Sequence, residues 1–315
     1  MQRAVLLAVG AGMLSVLPMA MALNLPGGVF LTFFAPLPLF LTGLGLGSLP
    51  AFIAGATAVV IWTLFTGLAS AASILLMMAA PTWILTRQAL LSREAPDETT
   101  EWYPGGHLVL WLTGIGVVCV LAFAVFLASL AETEHGLAGH IGAMMADALM
   151  LMLPDLERET AEIAAAGFAA NALALVSVSW MLLLALNGAL AQRILVRAGK
   201  NLRPTPDIAY LEFPNWVPLG PVVALLAGMV LGGDAAYVAR NIGIVLCLPL
   251  FFLGLATVHF FCRRFAARGA VLAALYFAVV ILPWIAAALT ILGLVDLLAG
   301  LRRRFSAGSS GQENE

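Results

Sequence analysis

Few side chains capable of chemistry interrupt the apolar stretches of this 315-residue chain. Asn171, Ser177 and Asn187 share one such stretch, and His259 and Asp296 lie in two others. Polar groups in a lipid-like interior are costly, and those that are kept often mark a ligand or ion pathway. Asn171 and Asn187 are therefore candidate substrate-pathway residues. Sixteen residues of helix place them about 160° apart around the axis, so they cannot line one face. Interhelical hydrogen bonding is the competing role for both. Pro36 and Pro38 join the pathway set because each removes a backbone donor, and discontinuous helices build transport sites from backbone groups exposed in this way. Asp296, seven residues before Arg303, reads as an acid held near its own basic cluster. His259, four residues before Arg263, reads as a packed or interfacial histidine.

Other reactive types form no pattern. His135, His140, Met144, Met145, Met150 and Met152 include the soft ligands that copper takes, yet they keep no fixed spacing. Cys119, Cys247 and Cys262 lie in or beside apolar segments without a paired motif. There is no Walker loop, no H-E-x-x-H and no G-x-S-x-G. The expectation is a protein that is not an enzyme and carries no metal or cofactor.

The elements that hold these residues follow from composition. The chain is 62% hydrophobic and only 10% charged, against about 25% charged in a soluble domain. Its apolar runs are continuous rather than alternating, which selects membrane-spanning helices over barrel strands. The fold class is all-α, a polytopic transmembrane bundle of eight to ten spans, with approximate segments 4–23, 29–47, 50–67, 70–86, 108–130, 163–190, 217–232 and 241–261. A last block, 269–301, exceeds one crossing and reads as a helical hairpin broken at Pro283. Residues 1–301 make one transmembrane domain, and 302–315 a basic and then disordered tail. The start reads as an uncleaved first helix, since its apolar run is long for a signal peptide and leads directly into the next segment.

Basic residues orient the chain. With the N-terminus inside, all Lys and Arg except Arg158 and Arg240 fall on the cytoplasmic side. Both termini are then cytoplasmic, in a bacterial inner membrane. The loops near 87–107 and 191–216 are cytoplasmic, the first a solvated connector and the second an extended, proline-directed path along the membrane. An interfacial helix lies externally within 131–162. A net charge of −2 suggests no nucleic-acid partner.

Small residues recur every four positions at Ala4, Ala8 and Gly12, at Gly43 and Gly47, and at Ala51 and Gly55. Such ridges let helices approach closely, within the bundle or against a second membrane protein. The run Phe34-Ala35-Pro36-Leu37-Pro38-Leu39-Phe40-Leu41-Thr42-Gly43-Leu44-Gly45-Leu46-Gly47, then Ala51-Phe52-Ile53-Ala54-Gly55, resembles the second and third helices of YybS-like bacterial membrane proteins. The late segments Gly254-Leu255-Ala256-Thr257-Val258-His259-Phe260-Phe261, Leu282-Pro283 and Leu292-Gly293-Leu294-Val295-Asp296 resemble that family too. The N-terminal half is also similar to the substrate-binding subunits of energy-coupling-factor vitamin transporters. That likeness implies partner docking through Ala4, Ala8 and Gly12. The chain differs from those subunits in its larger number of spans and its external insertion. The leading expectation is a transporter-like substrate-binding or permease subunit for a small, largely apolar solute. The alternative is a non-transporting membrane scaffold or assembly factor for envelope proteins. The partners expected are the lipid bilayer, a membrane protein docked on the small-residue ridges, and a small-molecule ligand whose identity the sequence does not give.

Overall fold

Continuous apolar sequence becomes helix wherever neither glycine nor proline interrupts it, because in lipid the backbone must pair within its own segment. The computed structural model describes residues 2–25, 27–130 and 136–310. Its helices are α1 (Gln2–Asn24), α2 (Val29–Thr32), α3 (Leu37–Leu46), α4 (Ser48–Thr66), α5 (Leu68–Ile74), α6 (Ala80–Ala89), α7 (Gly105–Leu130), α8 (Gly136–Met152), α9 (Arg158–Ala169), α10 (Ala172–Arg197), α11 (Leu219–Val230), α12 (Gly233–Leu246), α13 (Leu248–Cys262), α14 (Arg268–Ile281), α15 (Pro283–Ala299) and α16 (Leu301–Ser310). A π-helical turn, Leu75–Ala79, joins α5 to α6. A 3-10 turn, Ile208–Tyr210, lies between α10 and α11. The protein is all-α and polytopic.

Among the described residues, six segments are long and apolar enough to cross a membrane: Gln2–Ala22, Val29–Leu46, Ser48–Thr66, Gly105–Leu130, Ala172–Arg197 and Gly233–Cys262. The pair α14–α15 could add a seventh, bent by 118° at the break before Pro283. The break falls where the proline requires it. Six or seven candidates is fewer than the eight to ten expected, for three reasons. Residues 70–86 are divided by the π turn. The segment near 217–232 is helical only over the 12 residues of α11, about 18 Å of helix against a hydrocarbon core of about 30 Å. The last block, expected to cross twice, supplies at most one bent span.

Two connectors differ from the expected loops. Residues 92–102 of the solvated connector form an antiparallel hairpin, β1 (Ser92–Glu94) with β2 (Thr100–Trp102). The interfacial segment forms a helical pair, α8 and α9, packed through Ala146, Ala161 and Ala165. The tail expected to be disordered is helical to Ser310, and residues 311–315 lie outside the described residues.

The chain divides into two compact units, Met1–Ile115 with Ser179–Pro206, and Gly116–Val178 with Asp207–Glu315. Unit 1 packs α1 and α4 around Ala8, Val16, Ala54 and Ala58, together with Ala35, Leu39, Ile74 and Met78. At Gly12 a Cβ would strike the Ala54 carbonyl and the Thr57 side chain, so only glycine permits this approach of α1 to α4. Ala8 is fully buried. The ridge expected to dock a partner is thus covered at Ala8 and Gly12 by α4 of the same chain, with Ala4 half-buried beside them. The outward faces are apolar instead, as at Leu64, Phe65 and Leu68, each about 80% exposed, and they suit lipid.

Unit 2 is organised by α13 against α15. A Cβ at Gly254 would strike the Leu289 carbonyl, and one at Gly293 would strike the Leu250 carbonyl, so the two backbones touch at this crossing. Gly300 ends α15 in the left-handed region, φ 63°, with its N–H donating to Asp296 O.

Candidate functional site

Breaking a helix in lipid frees carbonyls that need donors. Unit 1 breaks two helices and supplies both donors from α10. Between α2 and α3 the chain loses regular pairing over Phe33–Pro36, where Pro36 and Pro38 cannot donate. Asn187 Nδ2 donates to Phe33 O at 2.8 Å and to Leu183 O at 2.8 Å. Where α5 passes into the π turn, the Trp180 indole N–H donates to Met77 O at 2.8 Å. Seven residues of α10 separate Trp180 from Asn187, two turns on one face. π-bulges occur disproportionately at functional sites.

Between these two irregularities lies a pocket of about 250 Å³. Phe33, Ala35 and Pro36 come from the first break, Ser73, Ile74, Met77 and Met78 from the second, Trp180, Leu183 and Leu184 from α10, and Met19 from α1. Its lining is apolar apart from the hydroxyls of Ser73 and Thr32 and the Trp180 N–H. Ser73 stands exposed at it, and its Oγ donates to Ser70 O. The geometry can hold a small apolar group beside backbone carbonyls.

Unit 2 also breaks a helix between α9 and α10. Asn241, fully buried on α12, accepts from Ala174 N at 2.8 Å and donates to Tyr237 O at 2.9 Å and Ala170 O at 3.3 Å. The Tyr237 hydroxyl donates to Ala169 O at 2.7 Å. Asp234 receives the N–H of Leu137 at 2.7 Å and so caps the start of α8.

The far end of unit 2 is charged. Asp296, 4% exposed, accepts from the Arg302 backbone N–H at 3.0 Å and from its Nε at 2.7 Å. Arg302 also donates to Ala209 O and Leu211 O at 2.8 and 2.9 Å, tying the 3-10 turn to the α15–α16 corner. Arg263 pairs with Asp207 and lies over the Tyr210 ring. Burial pushes the Asp207 carboxyl up, but the Arg263 hydrogen bond and the Ala209 N–H outweigh it and hold the group below its ordinary value. His259 Nε2 and the Tyr276 hydroxyl share a hydrogen bond of 2.8 Å between α13 and α14. A pocket of about 320 Å³ opens beside Asp296, Arg302 and Arg303.

The sequence-derived pathway set is only partly brought together. Pro36 lines the pocket and Asn187 braces it. Pro38 lies one step behind as the carbonyl that accepts from Thr42 Oγ1. Asn171 belongs to unit 2, exposed at the α9–α10 break, and does not join Asn187. Of the soft-ligand set, His135 lies outside the described residues. Trp180, Met77 and Asn241 were missed. A tryptophan two helical turns before an intramembrane asparagine was the available signal for the first, whereas the π turn has no distinguishing composition.

One further charge is buried. Arg203 is 5% exposed and donates to Ala89 O at 2.7 Å and Tyr103 O at 3.3 Å, where it caps the negative end of α6. Burial holds its guanidinium below the usual arginine value.

No curated protein and no solved structure matches the chain. Residues 12–297 match the family model described as "Predicted membrane protein (DUF2232)", which spans the pocket, both helix breaks and the α13–α15 crossing. The chain belongs to this family of membrane proteins.

Proposed function

We propose that the protein binds a small, largely apolar solute within the membrane and acts as a substrate-binding or permease subunit of a transport system, without catalysing a reaction. The carrying observation is the unit 1 pocket, in which a proline-broken helix and a π turn meet and α10 satisfies a carbonyl of each. Discontinuous helices of this kind form transport sites elsewhere. The resemblance of the Pro36–Gly47 pattern to energy-coupling-factor substrate subunits supports the reading. Partner docking through the first helix draws no support from Ala8 and Gly12, which face α4. In this reading the protein lies in a bacterial inner membrane with both termini cytoplasmic, and its energy comes from a partner subunit or an ion gradient.

The test is mass spectrometry of small molecules that co-purify in mild detergent, compared with a Ser73→Trp variant whose ring fills the pocket. A solute retained by the parent and lost from the variant is expected. Equal retention by both, or none by either, would overturn the reading.

A further inference from the structure

Two helices of this chain begin with the same sequence. Leu37, Pro38, Leu39, Phe40, Gly43 and Leu44 of α3 recur as Leu248, Pro249, Leu250, Phe251, Gly254 and Leu255 of α13, each shifted by 211 residues. In a leucine-rich chain the leucines carry little weight. The proline, phenylalanine and glycine in one register carry more, and the backbone repeats as well. The residue that opens α3, Pro36, has φ −72° and ψ −18°, and the residue that opens α13, Cys247, has φ −74° and ψ −13°. Burial follows the same register from the third position on, although Leu37 and Pro38 are half-buried where Leu248 and Pro249 are buried. Leu39, Phe40, Thr42, Gly43 and Leu44 are buried, as are Leu250, Phe251, Leu253, Gly254 and Leu255, while Leu41 and its counterpart Phe252 are both half-buried.

The surroundings correspond too. Each of these helices follows a preceding one, α2 or α12, with which it makes one span-length apolar segment broken just before the motif. Each is followed by a helix, α4 or α14, and a proline-led helix comes later: α6 with Pro81 after the intervening α5 and π turn in the first copy, and α15 with Pro283 directly in the second. The glycine shared in register is the contact point in both. A Cβ on Gly43 would meet the Thr86 side chain of α6, and one on Gly254 the Leu289 carbonyl of α15.

We propose that residues 29–89 and 233–299 are two copies of one helical module, so that the chain is a two-repeat membrane transporter and the α12–α13 break is the counterpart of the pocket-forming break in unit 1. The transport clause rests on the function proposed above, and the repeat does not. Internal repeats with matching discontinuous helices are the architecture from which many secondary transporters are built. The copies have diverged in chemistry. Thr42 bonds back to Pro38 O, whereas its counterpart Leu253 lines the charged pocket beside Asp296 and Arg302.

The motif makes the proposal testable, because Leu37–Leu44 and Leu248–Leu255 differ at two positions only. Leu41→Phe with Thr42→Leu writes the second copy into the first, and Phe252→Leu with Leu253→Thr does the reverse. The control, Phe40→Leu with Leu41→Phe, moves the aromatic ring one position out of register. Thermal unfolding of the full chain in detergent is the readout. At least one in-register exchange should melt within about 3 °C of the parent, and the control should fall by more than about 10 °C. If both exchanges fall as far as the control, or the control is tolerated as well as they are, the two helices are not equivalent and the proposal fails. Solute retention by the parent separates this question from the function itself: a parent that retains no solute would remove the transport clause and leave the repeat standing.

Discussion

Units 1 and 2 meet the same problem, a broken helix in an apolar medium, and finish it differently. In unit 2, Asn241 commits both ends of its amide and Tyr237 supplies a further donor, so the backbone around Ala169–Ala174 is paired. In unit 1, Asn187 and Trp180 supply the donors, but Asn187 Oδ1 is buried without a partner. Among the described residues, all four buried side-chain polar atoms left unpaired belong to unit 1: Thr82 Oγ1, His107 Nδ1, Asn187 Oδ1 and Arg203 Nε. Buried groups cost free energy when they are unmatched. Stability has been completed in unit 2 and left incomplete in unit 1, and the apolar pocket lies in the incomplete unit. Binding sites are drawn from the less stabilised parts of a structure.

This contrast predicts an order of effects. Asp296→Ala leaves the partly buried Arg302 guanidinium without its carboxylate and should cost about 3–5 kcal/mol, read from denaturant unfolding in mixed micelles. Asn241→Ala strands Ala174 N and Ala170 O and should cost about 2–4 kcal/mol. If it proves milder than the matching change in unit 1, the contrast is wrong. Asn187→Ala should cost only about 1–2 kcal/mol, because Oδ1 has no bond to lose, and should weaken solute retention more than stability. The smallest effect concerns pH. The Asp207 carboxyl is held below its ordinary value in the folded protein. Its contribution is therefore present above the ordinary carboxylate range and lost as pH falls through the lowered value. The pair with Arg263 is 40–48% exposed, so only a slight fall in melting temperature is expected. Asp207→Asn should abolish it, and added salt should mask it.

Much of the membrane architecture was legible as pattern. Unbroken apolar runs give helices in lipid, and Pro36 and Pro283 mark breaks because proline removes a donor wherever it sits. The span count was less legible, since hydropathy does not register an interruption made of apolar residues. Leu75–Ala79 becomes a π turn and Ala170–Asn171 a break through packing with helices distant in sequence. The ridge of Ala4, Ala8 and Gly12 announced a close helix contact correctly in kind, but nothing in its spacing says that α4 rather than another protein fills it. Asn187 was visible as a polar residue in an apolar run. Asn241 was missed because it stands at the first position of the apolar segment 241–261, where a polar residue reads as a segment end rather than as an interior group. Arg203 looked like an ordinary loop cation, and its burial depends on where α6 and Trp102 end up.

In the proposed function, unit 1 holds a discrete site for an apolar solute rather than a surface that merely dissolves one. Trp180 lines that site, and the chain has seven tryptophans in all. Replacing the other tryptophans with phenylalanine leaves Trp180 as the sole reporter, and bromobenzene serves as a small apolar quencher. Quenching that saturates, and that Ser73→Leu abolishes, is the predicted result. Quenching that rises linearly with the amount partitioned into the micelle, unchanged by Ser73→Leu, would contradict it.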